Sequence, residues 1–158
     1  MTLRPLALIA ACGALAACGQ PASSDQTKAA GPVVISSAIC RPTPTGRQVT
    51  GCYLTLTAPA ADTLVSISTP LAALAQVHES RMESNMMMMR ELETGLPMPA
   101  GQAVSLAPGG NHVMLMGVKE PLKTGDTVPL TLTFANAAPV DVTATVGQPP
   151  AAEDHAGH

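Results

Sequence analysis

Proline and glycine limit this chain more than any other feature of it. Fifteen prolines and thirteen glycines are spread through 158 residues, and inside a helix each proline costs about 3 kcal/mol and each glycine about 1 kcal/mol. From Val33 to Val146 the chain falls into short runs rich in Val, Thr, Leu and Ile, with no sustained 3.6-residue periodicity. Such a chain is all-β. The spacing predicts strands at Val33–Ile39, Val49–Thr57, Thr63–Thr69, Ala75–Ser80, Met86–Leu92, Ala103–Leu106, His112–Met116, Val128–Phe134 and Val140–Val146. Leu130, Leu132 and Phe134 alternate with Thr131 and Thr133, and Val140, Val142 and Val146 alternate with Asp141, Thr143 and Thr145. Each of these strands therefore has one buried and one wet face. Seven to nine short strands within roughly 115 residues predict a two-sheet β-sandwich.

The segments outside this region carry other signals. The apolar run from Leu6 to Ala17 follows Arg4 and is shorter than the roughly 20 residues a spanning helix needs, so it reads as the apolar part of a signal peptide. It closes in Leu15-Ala16-Ala17-Cys18 followed by Gly19, which resembles the lipobox of bacterial lipoproteins. That resemblance implies removal of residues 1–17 and a lipid on Cys18, on the periplasmic side of a Gram-negative membrane. An ordinary signal peptide cut at a nearby small residue is the alternative, and it also exports the protein. Gly19 is not the aspartate associated with inner-membrane retention, which leans toward the outer membrane. Residues 18–31, rich in Ser, Gln, Ala, Pro and Gly, form a flexible tether. The folded domain then covers 32–146, and the tail 147–158, which has no core-forming residues, is expected to be mobile.

With Cys12 removed and Cys18 acylated, Cys40 and Cys52 remain in an oxidising compartment, where a disulfide is the default. The turn cluster Pro42-Thr43-Pro44-Thr45-Gly46 between them allows a hairpin to bring their Cα atoms within the roughly 4.4–6.8 Å that a bridge needs. A two-thiolate metal site is the alternative, with no histidine nearby in sequence to complete it.

A formal charge of −3 with no arginine cluster leaves little surface for a phosphate backbone, so no nucleic-acid partner is expected. The sequence contains no G-x-S-x-G elbow, no H-E-x-x-H helix and no phosphate-cradling glycine loop. An enzyme is not expected. Methionine is the anomaly: of nine in the chain, all but the first lie between Met82 and Met116, with His78 and His112 in or beside the same window. Successive strand residues alternate faces, so Met87 and Met89 share one face, and His112, Met114 and Met116 share a face of another strand. Thioethers and imidazoles select Cu(I) over zinc or hard cations, and unlike cysteine they survive an oxidising space without forming disulfides. Methionine ordinarily fills irregular gaps in a core, the role expected for Met86, Met88, Met98 and Met116 in the core or at its rim. Four consecutive methionines in a strand cannot all face one core.

The run from His78 through Met82, Met86-Met87-Met88-Met89 and Arg90, then Pro99-Ala100-Gly101, then Pro108-Gly109-Gly110-Asn111-His112-Val113-Met114 and on to Gly125-Asp126 closely resembles the periplasmic copper chaperones called PCuAC. The resemblance covers approximately Val33 to Val146. It implies a cupredoxin-like Greek-key sandwich with Cu(I) held by His78, Met89, His112 and Met114; Met87 and Met116, which share the strand faces of those methionines, are candidate auxiliary donors. It also implies a lipid-anchored copper chaperone for assembly of a cytochrome oxidase copper centre. The partners would then be a copper-accepting oxidase subunit or a thioredoxin-like copper protein, with the membrane reached only through the lipid. A Cu(II) role for His155 and His158 follows from the His-rich extension of some family members. One residue more than usual separates Met89 from His112, around Glu93 to Met98. The tryptophan usual near Ile39 is absent, and the cysteine pair is not a general family feature. Two other readings stay open: a copper storage or resistance protein without an acceptor, and a cupredoxin electron carrier, which would need a cysteine thiolate beside His112.

Overall fold

The structure, a computed structural model, describes residues 31–149. Among them every regular element is a strand: β1 Val34–Cys40, β2 Val49–Thr57, β3 Asp62–Ser68, β4 Ala72–Glu83, β5 Met86–Glu91, β6 Leu96–Met98, β7 Ala103–Leu106, β8 His112–Val118, β9 Thr127–Phe134 and β10 Val140–Val146. The expected signal peptide, Cys18, tether and tail histidines lie outside the described residues.

Hydrogen bonding runs through one mixed sheet in the order β5-β4-β8-β2-β1-β10-β9-β3-β6, with β7 also on β2. The two expected layers are parts of that single sheet. It curls over its own apolar face until β3, near one end of the order, packs against β4, near the other. The interior is filled by alternate residues: Leu54 and Leu56 of β2, Val113 and Leu115 of β8, Leu130 and Leu132 of β9, all buried. Cys40 and Cys52 are directly opposed on β1 and β2 and joined as a disulfide, with Cα atoms 4.0 Å apart. Neither sulfur is left as a thiolate, so the two-thiolate metal site is ruled out.

Two departures from the sequence expectation have local causes. Strand β6 is only three residues long and includes Pro97, too little for a period-2 signal. It exists because Gly95 turns the chain at φ +81° beside Leu64, where a Cβ would fall 2.6 Å from the Leu64 carbonyl oxygen. Leu96 and Met98 then reach the core. Strand β4 continues past Ser80 to Glu83, because Ser84 and Asn85 both take positive φ, 50° and 63°, and form the two-residue turn whose twist suits a tight hairpin.

Asp62 closes the far end of the sheet. Its carboxylate accepts hydrogen bonds from the backbone N–H groups of Thr63 (2.7 Å), Asn136 (3.0 Å) and Ala137 (2.8 Å) and from the Asn136 side-chain amide. Burial alone would raise its pKa, but these donors outweigh burial and hold it below the ordinary value of 3.8. The unfolded chain takes up the proton first as pH falls, so this stabilisation is complete above 3.8 and is lost as pH drops through the lower folded value. Replacing Asp62 by Ala strands three backbone donors and should cost about 1–3 kcal/mol. Urea denaturation at neutral pH checks the loss, and its pH series should show less acid sensitivity below pH 4 than the parent protein does, about as expected from that linkage.

Candidate metal centre

Strand β8 is paired on both sides, to β4 and to β2. Val113 and Leu115 must face the core, so His112, Met114 and Met116 face outward. The β4 register sets His78 directly opposite His112, Gln76 opposite Met114 and Leu74 opposite Met116. On the other edge of β4, Ser80 faces Met89 and Met82 faces Met87. Directly opposed residues share a face, so His78, Met82, Met87, Met89, His112, Met114 and Met116 all project from one outer face of β5-β4-β8.

The two imidazoles lie at the centre of this stripe, edge to face, with ring centroids 6.1 Å apart. Met114 is two residues along β8 from His112. Met89 lies on the far side of β4, one residue pair away in the opposite direction. Each methionine is thus diagonal to His78, within reach of a thioether arm with three rotatable bonds. Met87 lies farther out toward the hairpin turn. Met116 is four residues from His112, about 13 Å along the strand. Exposure rises across the stripe: His112 is buried at 7%, Met114 and His78 are half-buried, and Met89 is 59% exposed.

Local hydrogen bonds fix the ring nitrogens. The Gly110 carbonyl lies 2.9 Å from His112 Nδ1 and also accepts from the Ser80 N–H. A carbonyl only accepts, so Nδ1 carries the proton and Nε2 keeps its lone pair. The carbonyl is aimed there by the Pro108–Asn111 turn, in which Gly109 takes φ +83°. Gln76 Oε1 lies 3.2 Å from His78 Nε2, which leaves the His78 lone pair on Nδ1. Gln76 and Gly110 carry no metal-site signal in sequence; the only hint is that each lies two residues from a histidine.

Burial pushes the His78 pKa below the ordinary 6.5, and the charge that His112 would carry across the pair pushes it the same way, against the opposing pull of Glu91. Both effects keep the imidazole neutral and able to donate to a metal. Among the described residues no three His, Cys, Asp or Glu side chains gather as metal ligands. The donors this face offers are the two imidazoles and the thioethers, with the Glu91 carboxylate opposite His78; the imidazole and thioether part of that set suits Cu(I). Among the described residues the disulfide leaves no cysteine thiolate of the kind that a blue-copper electron carrier requires.

The methionines expected in the core or at its rim divide three ways. Met98 is fully buried and Met116 half-buried on the outer face, but Met86 and Met88 are 63% and 45% exposed. The reason is that the hairpin runs past the last backbone contact of β4 with the β8 side, at Ser80, so its reverse face has no core to cover. Arg81, Arg90, Glu79 and Glu83 occupy that reverse face as exposed ion pairs.

Residues 33–146 match the protein family described as LpqE-like. The chain belongs to that family. Its fold is that of PCuAC domains, as the sequence resemblance implies. A Leifsonia xyli protein named as a lipoprotein, Lxx21020, is 37% identical over 75 residues, which span 48% of this chain and 45% of that protein. The match thus covers under half of that relative's length. The Cu(I) form of DR1885 from Deinococcus radiodurans is 32% identical, with 82% of this chain and 87% of that one aligned and a TM-score of 0.59. The apo PCuAC domain of PmoF1, at 23% identity, shares the fold over 75% of this chain and 96% of its own, with a TM-score of 0.62.

The geometry of the histidine pair predicts its titration. In the apo protein the His78 imidazole should protonate with a midpoint below 6.5, read from its ring carbon-bound protons by NMR. Folding stability should fall as pH drops below 6.5 toward that midpoint, because the unfolded chain binds the proton first. In His112→Asn the His78 midpoint should move upward toward 6.5.

Proposed function

We propose that this protein is a lipid-anchored, extracytoplasmic copper chaperone that carries one Cu(I) ion on His78, Met89, His112 and Met114. The observation behind this reading is the co-facial set itself: two opposed imidazoles with free lone pairs, flanked by a thioether on each side. Four neutral donors leave the ion its own single positive charge, and neutral imidazoles give no ligand proton to displace. The gradient of exposure supports transfer rather than permanent storage. The ion would be held from below by His112 and approached from solvent past Met89, where an incoming ligand can replace one thioether at a time.

The acceptor in this reading is a respiratory oxidase subunit awaiting its copper centre, or a thioredoxin-like copper protein acting before it. Attachment through Cys18 is supported by the lipobox-like Leu15-Ala16-Ala17-Cys18 and by the lipoprotein name of the Leifsonia relative. The outer membrane is proposed over the inner on Gly19 alone. For His155 and His158 the chemistry of imidazole beside Glu153 and Asp154 suits Cu(II) capture.

Anaerobic Cu(I) titration against a competing chelator tests the reading. One tightly held equivalent is expected, and the double variant Met89→Leu/Met114→Leu should lose it while keeping its folded-state spectrum. Unchanged affinity in that variant would overturn the assignment. Removal of residues 150–158 should leave this equivalent in place and abolish only any Cu(II) uptake.

A further inference from the structure

Beyond the His78/His112 pair the β4–β5 hairpin continues as a two-stranded ribbon with β5 exposed along its whole length. Its outer face carries Met82, Met87 and Met89, exposed at 62%, 53% and 59%. Surface methionine is costly to maintain in water when a polar residue would serve a strand equally well. These three are also placed by register rather than scattered. Glu83 and Met86 close the two-residue turn, and a closing pair of this kind exchanges hydrogen bonds; the Leu92 N–H to Val77 carbonyl bond, 2.9 Å, shows the same phase farther down the ribbon. Alternation then makes Met82–Met87 a pair without mutual hydrogen bonds, the class in which opposed Cα atoms come to about 4.5 Å and side chains lie closest.

Met89 is next along the same face and diagonal to Met82. No Lys or Arg shares that face of the ribbon, because Arg81 and Arg90 point to the other side and are occupied by Glu83 and Glu79. A soft monovalent cation therefore meets two adjacent thioethers, a third within reach, and no competing positive charge.

We propose that Met82 and Met87 form a second, all-thioether Cu(I) site at the hairpin tip, with Met89 shared between it and the His78/His112/Met114 set. This rests on the copper reading given above and extends it. The tip site takes Cu(I) from solution or releases it there, and Met89 passes the ion between tip and imidazoles by exchange of neutral ligands, with no proton or electron transferred. Two thioethers bind more weakly than a set that includes two imidazoles, so the tip fills second.

The test uses the full chain with methionine methyl groups labelled with carbon-13, titrated anaerobically with Cu(I) against a graded chelator. Two equivalents are expected, the Met82 and Met87 methyl signals shifting with the weaker one. Met82→Leu/Met87→Leu, which keeps the apolar volume and removes only sulfur, should lose the second equivalent and retain the first within twofold. A single equivalent that moves Met89 and Met114 but neither tip methyl would overturn the tip site and leave the chaperone reading standing. A second equivalent that leaves both tip methyls unmoved would also overturn it, as would loss of the first equivalent in the tip variant. Failure to bind any Cu(I) would overturn both readings.

Discussion

The outer donor face depends on β8 being hydrogen-bonded along both edges. A strand held on both sides cannot slide, and a shift of one residue would send His112 and Met114 into the core and bring Val113 and Leu115 to the surface. Burial of those two apolar side chains, each fully enclosed, is therefore what holds the imidazole and thioether outward. The same register transmits the constraint to β4, where Val77 is buried and His78 must lie opposite His112. A donor face built in this way takes its outward projection from strand register, and needs a turn only to orient the His112 ring.

The ribbon beyond Ser80 obeys a different rule. Without a core on either face, its side chains are chosen for what they meet in solvent, and the two faces diverge: one carries Met82, Met87 and Met89 with no Lys or Arg, the other carries paired charges beside Met86 and Met88. The Glu79–Arg90 and Glu83–Arg81 pairs are exposed and individually contribute little to stability. Their effect is to keep guanidinium groups away from the sulfur face. The single Gly110 carbonyl joins the two regimes, accepting from the last β4 backbone N–H on the β8 side and from the ring that orients toward the stripe.

Much of this was legible from residue order alone. The strands with clean alternation, β9 and β10, lie where their Leu, Val and Thr residues predict, and β2 and β7 match to the residue. The cysteine pair was readable because a turn cluster separates two β-like runs. What escaped the sequence depends on contacts between distant segments. Strand β6 needs Leu64 beside Gly95, 31 positions away by number. The exposure of Met86 and Met88 depends on how far β4 runs past its last contact with the β8 side, at Ser80, which no local pattern encodes. That His78 opposes His112, rather than lying one pair away, follows from a β4/β8 register set by core packing. Gln76 and Gly110 act through hydrogen bonds that period-2 patterning cannot express.

The parallel pairing of β1 with β10 gives the domain polarity. Ile39 and Cys40 lie level with Thr145 and Val146, so the chain enters at Val34 and leaves at Val146 at opposite ends of the sheet, about 20 Å apart. Following the registers from β1 through β2 and β8 to β4 brings the Ser84–Asn85 turn level with Val34. The methionine tip and the chain's point of entry thus share one end, and the point of exit lies at the other. A domain held by its leading segment would turn its sulfur toward whatever holds it, so that the length of that segment, rather than diffusion of the whole molecule, would set how far the cargo can be offered.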